Sequence, residues 1–433
     1  MEGSTVNEYH DLFRKYSYRG LCESAARILC ESGKIKIVKC KIAIVGAGPA
    51  GSSLAIRLAQ KNFDITLIER ERFPRQKLCG EFISPECFAH FESLGVLETM
   101  MSAGGDRIYE TSFYSPNGRS VTIPTKWLAG QCALTLSRAE MDLRLIRRAR
   151  SAGVMVVENA TVFEVLRKDE RIAGVRARMA DGSAFAIEAD ITIDATGRSA
   201  VVSRLMSKSG GRLAYAPAGK PAFVGFKAHM HNVKLESGRC EIYLFKGGYA
   251  GLCNIESGLA NLCFLISADV VRQFKSDIPK ILEHTVFQNV RAAAALECAE
   301  TAGEWLAVSI ESFGRGHTSS ASGLFTIGDS AAFIDPFTGS GMLMAFESAE
   351  LLANAITRHT TSFSAAAEEY SSGYARRFGS RLTTASLLRR AAFIPVLSTC
   401  AITAAAASAR VAETLTRLTR HSVEPAFKKR KIG

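Results

Sequence analysis

The sequence predicts an α/β fold, α+β overall, with a parallel sheet at its centre, an inserted antiparallel β-sheet and a C-terminal helical region. Three observations lead to this prediction. A strand, a glycine turn, a helix and a second strand follow one another over residues 42–69, short alternating strands fill residues 154–194, and helical patterns return after Gly341. Because 47% of the 433 residues are apolar and 22% are charged, the chain can bury a large core, which excludes global disorder.

The first element is a complete βαβ unit. A β-branched run at 42–45 has the composition of a buried parallel strand, and the glycine turn 46–51 follows it directly. A helical pattern over 52–60 and a second apolar run at 65–68 then lead to Glu69. Glycines at such a turn let a pyrophosphate approach the helix N-terminus, and an acid about twenty residues further on accepts from a ribose hydroxyl. The unit therefore predicts a Rossmann-type dinucleotide-binding domain.

The other strands predict a second sheet and a division of the chain. Short strands between 154 and 194, separated by turn residues at 168–171 and 181–182, form a meander, and a second β-rich block runs from 223 to 266. Pro116-Asn117-Gly118 predicts an earlier hairpin. The predicted regions are an N-terminal helical extension (1–35), a discontinuous dinucleotide-binding domain (36–105, 133–210 and 315–360), a substrate-binding β-sheet domain (106–132 and 211–314) and a C-terminal helical region (361–433).

Two later motifs place polar groups at strand ends. Residues 193–199 end one strand and turn at Gly197, and residues 324–329 end another strand on Asp329. A glycine-rich loop at 335–342 then opens a helix at Gly341 and Met342. The Asp329 carboxylate can accept hydrogen bonds from a polyol chain, and the helix amides can face a group that becomes anionic on reduction.

The three motifs in this order resemble the flavoprotein superfamily that has the para-hydroxybenzoate hydroxylase fold. Over residues 36–360 the chain is most similar to the geranylgeranyl reductase-like branch and to its neighbours, the flavin-dependent monooxygenases and halogenases. The resemblance implies that the discontinuous domain binds FAD, that NAD(P)H is the electron donor and that the substrate is a small molecule. The sequence has no second nucleotide fingerprint, and this superfamily binds NAD(P)H without one.

The resemblance also assigns residues to the FAD. They are Gly46, Gly48, Ala50 and Gly51 at the pyrophosphate, Glu69 at the adenosine ribose, Arg70, Cys79, Gly80, Arg138, Val162 at the adenine, Asp329 at the ribitol or pyrophosphate, and Gly341 with Met342 at the isoalloxazine. Tyr243 and Tyr249 fit a substrate pocket and ordinary sheet packing equally well. No catalytic acid or base is assigned, because the flavin carries the redox chemistry.

Cys79 lies in a segment, 73–81, that resembles a Cys-Gly loop near the flavin in the geranylgeranyl reductase-like branch. It is either a small packing residue or a reactive thiol whose pKa Arg75 and Lys77 lower. Two family signatures are missing. Trp127 and Trp305 do not form the W-x-W-x-I-P motif of halogenases, and residues 247–254 lack the Trp and Pro of the prenyl reductase stretch. Halogenation is therefore not expected, and a geranylgeranyl substrate is disfavoured.

The expected function is an FAD-dependent oxidoreductase, in first place a monooxygenase that uses reduced flavin and O2 to hydroxylate or epoxidise a lipophilic or aromatic small molecule. A geranylgeranyl reductase-like enzyme that saturates carbon–carbon double bonds is the close alternative. A non-catalytic flavin-binding or membrane-associated protein is the third. Nucleic acid is not expected as a partner, because no nucleic-acid-binding fold accompanies the net charge of +12.

The cysteines and the C-terminal region indicate where in the cell the protein is located. Eleven cysteines without a C-x-x-C pair favour a reducing, cytoplasmic location, and His229 with His231 lacks a third metal ligand. The Ala-rich uncharged stretch 391–409, which Pro395 is expected to interrupt, favours a buried or interfacial helix over a membrane span. Together with the basic residues up to 428–431, it predicts C-terminal helices that cover the substrate pocket and contact membranes reversibly.

Overall fold

The computed structural model describes residues 36–128, 130–208, 221–311 and 313–418; the predicted N-terminal extension (1–35) and the basic residues 428–431 lie outside them. The strands are β1 (Lys36–Val45), β2 (Ile65–Ile68), β3 (Phe82–Ile83), β4 (Arg107–Ile108), β5 (Glu110–Tyr114), β6 (Ser120–Pro124), β7 (Ala133–Thr135), β8 (Met155–Val157), β9 (Ala160–Lys168), β10 (Arg171–Met179), β11 (Ala184–Asp194), β12 (Phe223–His231), β13 (Arg239–Phe245), β14 (Gly248–Asn254), β15 (Ala260–Ser267), β16 (Glu300–Thr301), β17 (Leu306–Ile310), β18 (Gly314–Arg315), β19 (Ser319–Ala321), β20 (Leu324–Thr326) and β21 (Ala332–Phe333). The α-helices are α1 (Pro49–Ala59), α2 (Cys87–Leu94), α3 (Leu97–Met101), α4 (Arg138–Ser151), α5 (Val201–Lys208), α6 (Ala268–Gln273), α7 (Ile278–His284), α8 (Val290–Ala295), α9 (Gly341–Arg358), α10 (Phe363–Ala392), α11 (Pro395–Ala407) and α12 (Ala409–Leu418).

The first large sheet is parallel at its centre. Its strand order is β19-β20-β11-β1-β2-β8, and β10 and β9 extend from β11 as the predicted antiparallel meander. Strand β1 forms because Ile42, Ala43 and Ile44 are fully buried, with an apolar layer on each face of the sheet. The parallel pairs β1–β2, β1–β11 and β11–β20 bring the carboxyl ends of these strands to one edge. The predicted α/β fold class is confirmed.

The second large sheet is the predicted β-rich insertion. Its order is β16-β12-β15-β14-β13-β5-β6, with β17 also paired to β12, and the predicted hairpin at 116–118 joins β5 to β6. One face carries Phe226 and Phe264 and packs against helices α6, α7 and α8. The other face contacts Leu78 and Cys79, which lie between β2 and β3. We propose that the two predicted domains correspond to these two sheets.

The C-terminal helices are interrupted at Pro395, as expected. One helix, α10, ends at Ala392, and Pro395 stands in the first turn of the next, α11, where its missing N–H removes no helical hydrogen bond. The uncharged stretch 391–409 is therefore divided among the end of α10, all of α11 and the start of α12. Helix α11 packs on β6 and β13, so it covers part of the second sheet. Among the described helices, none combines the length and the apolar character that crossing a membrane requires.

Candidate functional site

The glycine turn after β1 is fixed by close backbone contacts. Gly46 has a φ of +100°, and a Cβ there would lie 2.4 Å from the Ala195 carbonyl oxygen. A Cβ on Gly51 would lie 1.9 Å from the Gly46 carbonyl oxygen. Neither position can accept a side chain without moving backbone, so both glycines are required by the packing of the protein itself.

Gly48 lies at the same turn but has a different environment. Its φ is −76°, which any residue adopts, and a Cβ there would meet only Arg138 Nη2, at 3.7 Å. Helix α1 begins at the next residue, so its unpaired N–H groups and the positive end of its dipole face this space. The turn therefore offers a concave, electropositive surface that fits a phosphate and that a side chain at residue 48 would fill.

Glu69 directly follows β2 and is 6% exposed. One carboxylate oxygen accepts the Ala47 N–H at 2.9 Å, and the other accepts the Glu71 N–H at 3.3 Å, so Glu69 lies against the turn. The Arg70 side chain is 60% exposed and pairs with Glu71, and its contact with FAD stays a prediction.

Two buried residues that the sequence did not assign join Glu69 to Arg138. Arg75 donates to Asp142 at 2.7 Å and lies 3.5 Å from Glu69, while Arg138 donates to the same Asp142 oxygen at 2.7 Å. Arg75 Nε has no partner among the described residues although it is buried. The spacing of Arg138 and Asp142, four residues apart on one helix, is the signal that could have identified this pair.

Asp194, at the end of β11, connects the second motif to the third. Its oxygens accept from the N–H and hydroxyl groups of Thr196 and Ser203 at 2.6–3.1 Å. The Ser330 hydroxyl lies 2.8 Å from the Gly197 carbonyl oxygen. Together with the contact of Gly46 and Ala195, these bonds bring the three sequence motifs to one edge of the sheet.

Asp329 lies at this edge as well. The neighbouring residue Gly328 (φ +58°) is so close to helix α1 that a Cβ there would lie 2.9 Å from Ala50 Cβ. Burial raises the pKa of Asp329 to about 6, against the opposing charges of Arg138 and Arg198. Burial lowers the pKa of Arg198, and the charge of Asp329 partly offsets this effect.

Gly341 and Met342 open helix α9 at the same end of the fold, as predicted. A Cβ on Gly341 would meet only Ile334, at 3.8 Å, so the backbone there is accessible to a ligand. Gly339, with a φ of +62°, lies beside the Phe82 ring, 3.5 Å from a built Cβ. The 79–82 segment and the 335–342 loop therefore adjoin.

Cys79 and Gly80 belong to that segment. Cys79 is half-buried and its Sγ accepts the Glu81 N–H at 3.4 Å, while a Cβ on Gly80 would meet nothing within 4 Å. The two cations that the sequence suggested for the Cys79 thiol pair with carboxylates instead: Arg75 binds Asp142, and Lys77 binds Glu71. The charged group next to Cys79 is Arg138, whose pKa is raised because Asp142 and Cys79 outweigh the effect of burial.

Val162, Tyr243 and Tyr249 lie in three different parts of the structure. Val162 lies on β9 with its side chain in the core behind the first sheet, and its backbone contact with adenine stays a prediction. Tyr243 is fully buried on the helix-covered face of the second sheet and donates to Glu241 at 2.6 Å. Tyr249 lies on the opposite face, towards the 335–342 loop. The structure therefore brings Tyr249, and not Tyr243, to the site.

Tyr249 belongs to a row of aromatic rings between the second sheet, the 335–342 loop and the start of α11. Its ring centroid lies 5.1 Å from that of Phe337 and 6.1 Å from that of Phe393, and Phe393 contacts Phe223 at 5.5 Å. Leu265, Ile310 and Ile402 belong to the same apolar cluster and are buried, as Tyr249 is. The rings of Phe223, Phe337 and Phe393 are partly exposed next to the loop that opens α9.

The structure offers no place for a metal among the residues it describes, since no group of three or more potential ligands occurs there. His229 instead hydrogen-bonds Glu81 at 2.8 Å, and His231 is exposed at the end of β12. Neither histidine has the neighbours that a zinc site requires.

Comparison with known proteins gives matches over most of the chain. The profile of the FAD binding domain matches residues 39–377. The digeranylgeranylglycerophospholipid reductase of Methanosarcina acetivorans is 26% identical over 344 residues, which cover 78% of this chain and 80% of the relative. The tryptophan 2-halogenase of Chondromyces crocatus is 25% identical over 73% of this chain and 60% of its own length. Among solved structures, pqsL, "a probable FAD-dependent monooxygenase from Pseudomonas aeruginosa", shares the fold with a TM-score of 0.65 and 18% identity over 83% of this chain and 98% of that chain.

Proposed function

Because the chain belongs to the family that has this FAD binding domain, and is therefore an FAD-dependent oxidoreductase, we propose that it is a monooxygenase acting on a lipophilic or aromatic small molecule. The observation that carries the proposal is the row of aromatic rings beside the 335–342 loop. Such a surface binds an apolar or aromatic substrate through burial and ring contacts. The family likeness to pqsL supports the reaction class.

The residues at the sheet edge fit FAD. The space at Gly48 and the N-terminus of α1 suits the pyrophosphate, Glu69 the adenosine ribose and Asp329 the hydroxyls of the ribitol chain. The amides of Gly341 and Met342, at the start of α9, would stabilise negative charge on the ring system. When bound, FAD supplies two-electron redox chemistry, with NAD(P)H as the proposed donor and O2 or a double bond as the acceptor.

Product analysis with and without oxygen tests the reaction class. We expect NAD(P)H to bleach the flavin, and an aromatic or lipophilic substrate to stimulate O2 uptake and to gain one oxygen atom from ¹⁸O2. A product that forms without O2 and gains two hydrogens would instead support the alternative, a reductase of carbon–carbon double bonds, which the Methanosarcina relative favours. A flavin that neither NADH nor NADPH reduces would support the third alternative, a non-catalytic flavin-binding protein.

The two tyrosines provide a matched test of the pocket. Tyr249→Ala is expected to lower kcat/KM by about 10–100-fold, because it removes ring contacts with the substrate. Tyr243→Phe is the control, since its ring faces the helices on the other side of the sheet. It should leave kcat/KM unchanged and lower the free energy of unfolding by about 1–2 kcal/mol, as Glu241 loses a donor. Equal effects of the two variants on kcat/KM would contradict this placement.

We further propose that the C-terminal helices contact membranes through the side that faces away from the pocket. Phe393 and Ile402 pack on the pocket side, whereas Val396 is 70% exposed and Ile394 and Leu397 are each 48% exposed. Arg410 is exposed at the start of α12, after the end of α11. An exposed apolar patch together with basic residues is typical of a surface that binds anionic lipid, and it would allow a lipophilic substrate to enter from the bilayer.

Vesicle binding tests this surface. Val396→Asp with Leu397→Asp should lower affinity for phosphatidylglycerol vesicles by about 10-fold or more, because charge replaces apolar side chains at the interface. Val290→Asp is the control, since Val290 is 64% exposed on helix α8, which packs on the opposite face of the second sheet. High salt should release the wild type, as each basic residue adds only about 1 kcal/mol near an anionic surface. Retention through high-salt and carbonate washes would contradict reversible contact.

A further inference from the structure

Glu81 is a buried carboxylate at a position that the redox mechanism does not explain. It is fully buried, and its backbone has a φ of +56°, in the left-handed region that favours glycine. One carboxylate oxygen accepts the N–H of Arg138, at the start of α4, at 2.8 Å. The same oxygen forms an ion pair with Lys227. The other accepts from His229 Nε2 at 2.8 Å, so Glu81 joins the start of α4 to the inserted sheet.

Lys227 is the cation of this cluster and is itself 2% exposed. Besides Glu81, its ammonium group donates to Gln76 Oε1 and to the Lys77 carbonyl oxygen, each at 3.2 Å. A buried lysine needs such partners, because an ammonium group without acceptors is very costly outside water. All three partners lie within residues 76–81, and this single side chain of the inserted sheet therefore holds the whole segment.

Two neighbours on the same sheet face hold the segment further along. Asn261 donates to the Cys79 carbonyl oxygen at 3.1 Å, and the Cys253 thiol lies 3.5 Å from the Gly80 carbonyl oxygen. The strand register explains the alignment, since Lys227 pairs with Cys263 and His229 pairs with Asn261 across β12 and β15. The carbonyl groups of residues 77, 79 and 80 are thus each bound by the inserted sheet.

The surroundings of Glu81 also determine its charge. Burial alone would raise the pKa of Glu81, but the hydrogen bond from His229 and the charge of Lys227 hold it below its usual value. Glu81 is therefore ionised, and it forms a buried pair of opposite charges with Lys227. Phe82, the next residue, lies against Gly339 in the loop that leads to α9.

We propose that Lys227, His229 and Glu81 are positioning residues for the flavin: they fix the 76–82 segment against the cofactor site and set the charge that the ring system experiences. The inference rests on the proposed FAD site. A positive charge near the ring favours the reduced, more anionic flavin, and a negative charge disfavours it. Each partner of the pair therefore has an opposite effect on the midpoint potential.

Midpoint potentials of the FAD-loaded protein test the proposal. Glu81→Gln should move the potential to a more positive value, because the Lys227 charge is no longer balanced. Lys227→Met should move it to a more negative value, and the double variant should return close to the wild type. Glu241→Gln and Arg291→Met are the controls, since this pair is also buried at its carboxylate but lies on the helix-covered side of the same sheet. Neither control should shift the potential.

A neutral variant covers the case in which a single charge change prevents folding. Asn261→Ala removes only the hydrogen bond to Cys79 and should shift the flavin absorption bands and fluorescence. Singly substituted proteins that keep FAD but show unshifted potentials, or shifts of the same sign, would overturn the inference, as would an unchanged spectrum of Asn261→Ala. A wild-type protein that takes up no FAD would instead overturn the proposed function, and this inference with it.

Discussion

Gly48→Val is expected to give a folded protein without FAD. The backbone at residue 48 is in a region open to all residues, and a Cβ there meets no backbone atom, so the fold should tolerate the change. The valine side chain would occupy the space in front of the α1 N-terminus that the pyrophosphate needs. FAD affinity should fall at least about 100-fold, which corresponds to about 3 kcal/mol. Flavin absorbance per protein measures the loss, and circular dichroism measures the fold.

Gly51→Val is the matched comparison at the same turn. Its Cβ would overlap the Gly46 carbonyl oxygen at 1.9 Å, and the side chain would also press on Ala195. Overpacking of this kind destabilises by about 1–3 kcal/mol or more, so this variant should unfold at lower temperature or fail to accumulate. The two substitutions therefore separate a glycine needed for the ligand from one needed for the fold. Stoichiometric FAD in folded Gly48→Val would overturn the assignment of the turn.

The sequence was sufficient for the βαβ unit and the meander because their signals are local. The strand at Ile65–Ile68 has the predicted bounds, and the turn and the helix agree within a few residues, whereas β1 begins at Lys36, six residues before the predicted run, and β11 extends to Asp194. The hairpin before β6 was also predictable, since Asn-Gly strongly favours a tight turn. These elements depend on neighbouring residues only, so composition and periodicity determine them.

Contacts between distant segments were not predictable in the same way. The Arg75–Asp142 pair joins residues that are 67 positions apart, and the Lys227–Glu81 pair joins residues 146 positions apart. Lys227 does carry a signal, because a lysine within the apolar strand β12 needs a buried partner, but the sequence does not say which acid supplies it.

The two tyrosines show why a local pattern can leave a question open. Tyr243 and Tyr249 lie on adjacent antiparallel strands, and the register pairs Tyr243 with Ala250 and Tyr249 with Leu244. Because residues directly opposite share a face and successive residues alternate, the two rings point to opposite sides of the sheet. Which side faces the cofactor depends on how the sheet packs on the rest of the protein, which no local pattern reports.

Asp329→Asn is expected to have opposite effects on the protein alone and on its FAD complex. Burial raises the pKa of Asp329 from 3.8 to about 6, so the ionised carboxylate destabilises the folded protein when no ligand donates to it. The folded state binds this proton more tightly than the unfolded state, so the contribution is absent below about pH 4, grows as the pH rises towards 6 and is complete above that value. Removing the charge should then raise the free energy of unfolding by about 1–3 kcal/mol at pH 7.

The FAD complex should respond in the other direction. The carboxylate is the stronger acceptor for ribitol hydroxyls, and hydrogen bonds to charged groups contribute about 1.5–3 kcal/mol, so the variant should bind FAD about 10–100-fold more weakly. Thermal unfolding from pH 4 to pH 8, with and without FAD, measures both effects. Asp181→Asn is the control, because Asp181 is exposed and, among the residues that the structure describes, bonds Ser183 alone. The Asp181→Asn protein should show neither the gain in free energy of unfolding nor the loss of FAD affinity. A variant at residue 329 that is less stable both with and without FAD would indicate that the carboxylate supports the fold, and its place at the cofactor would then have to be withdrawn.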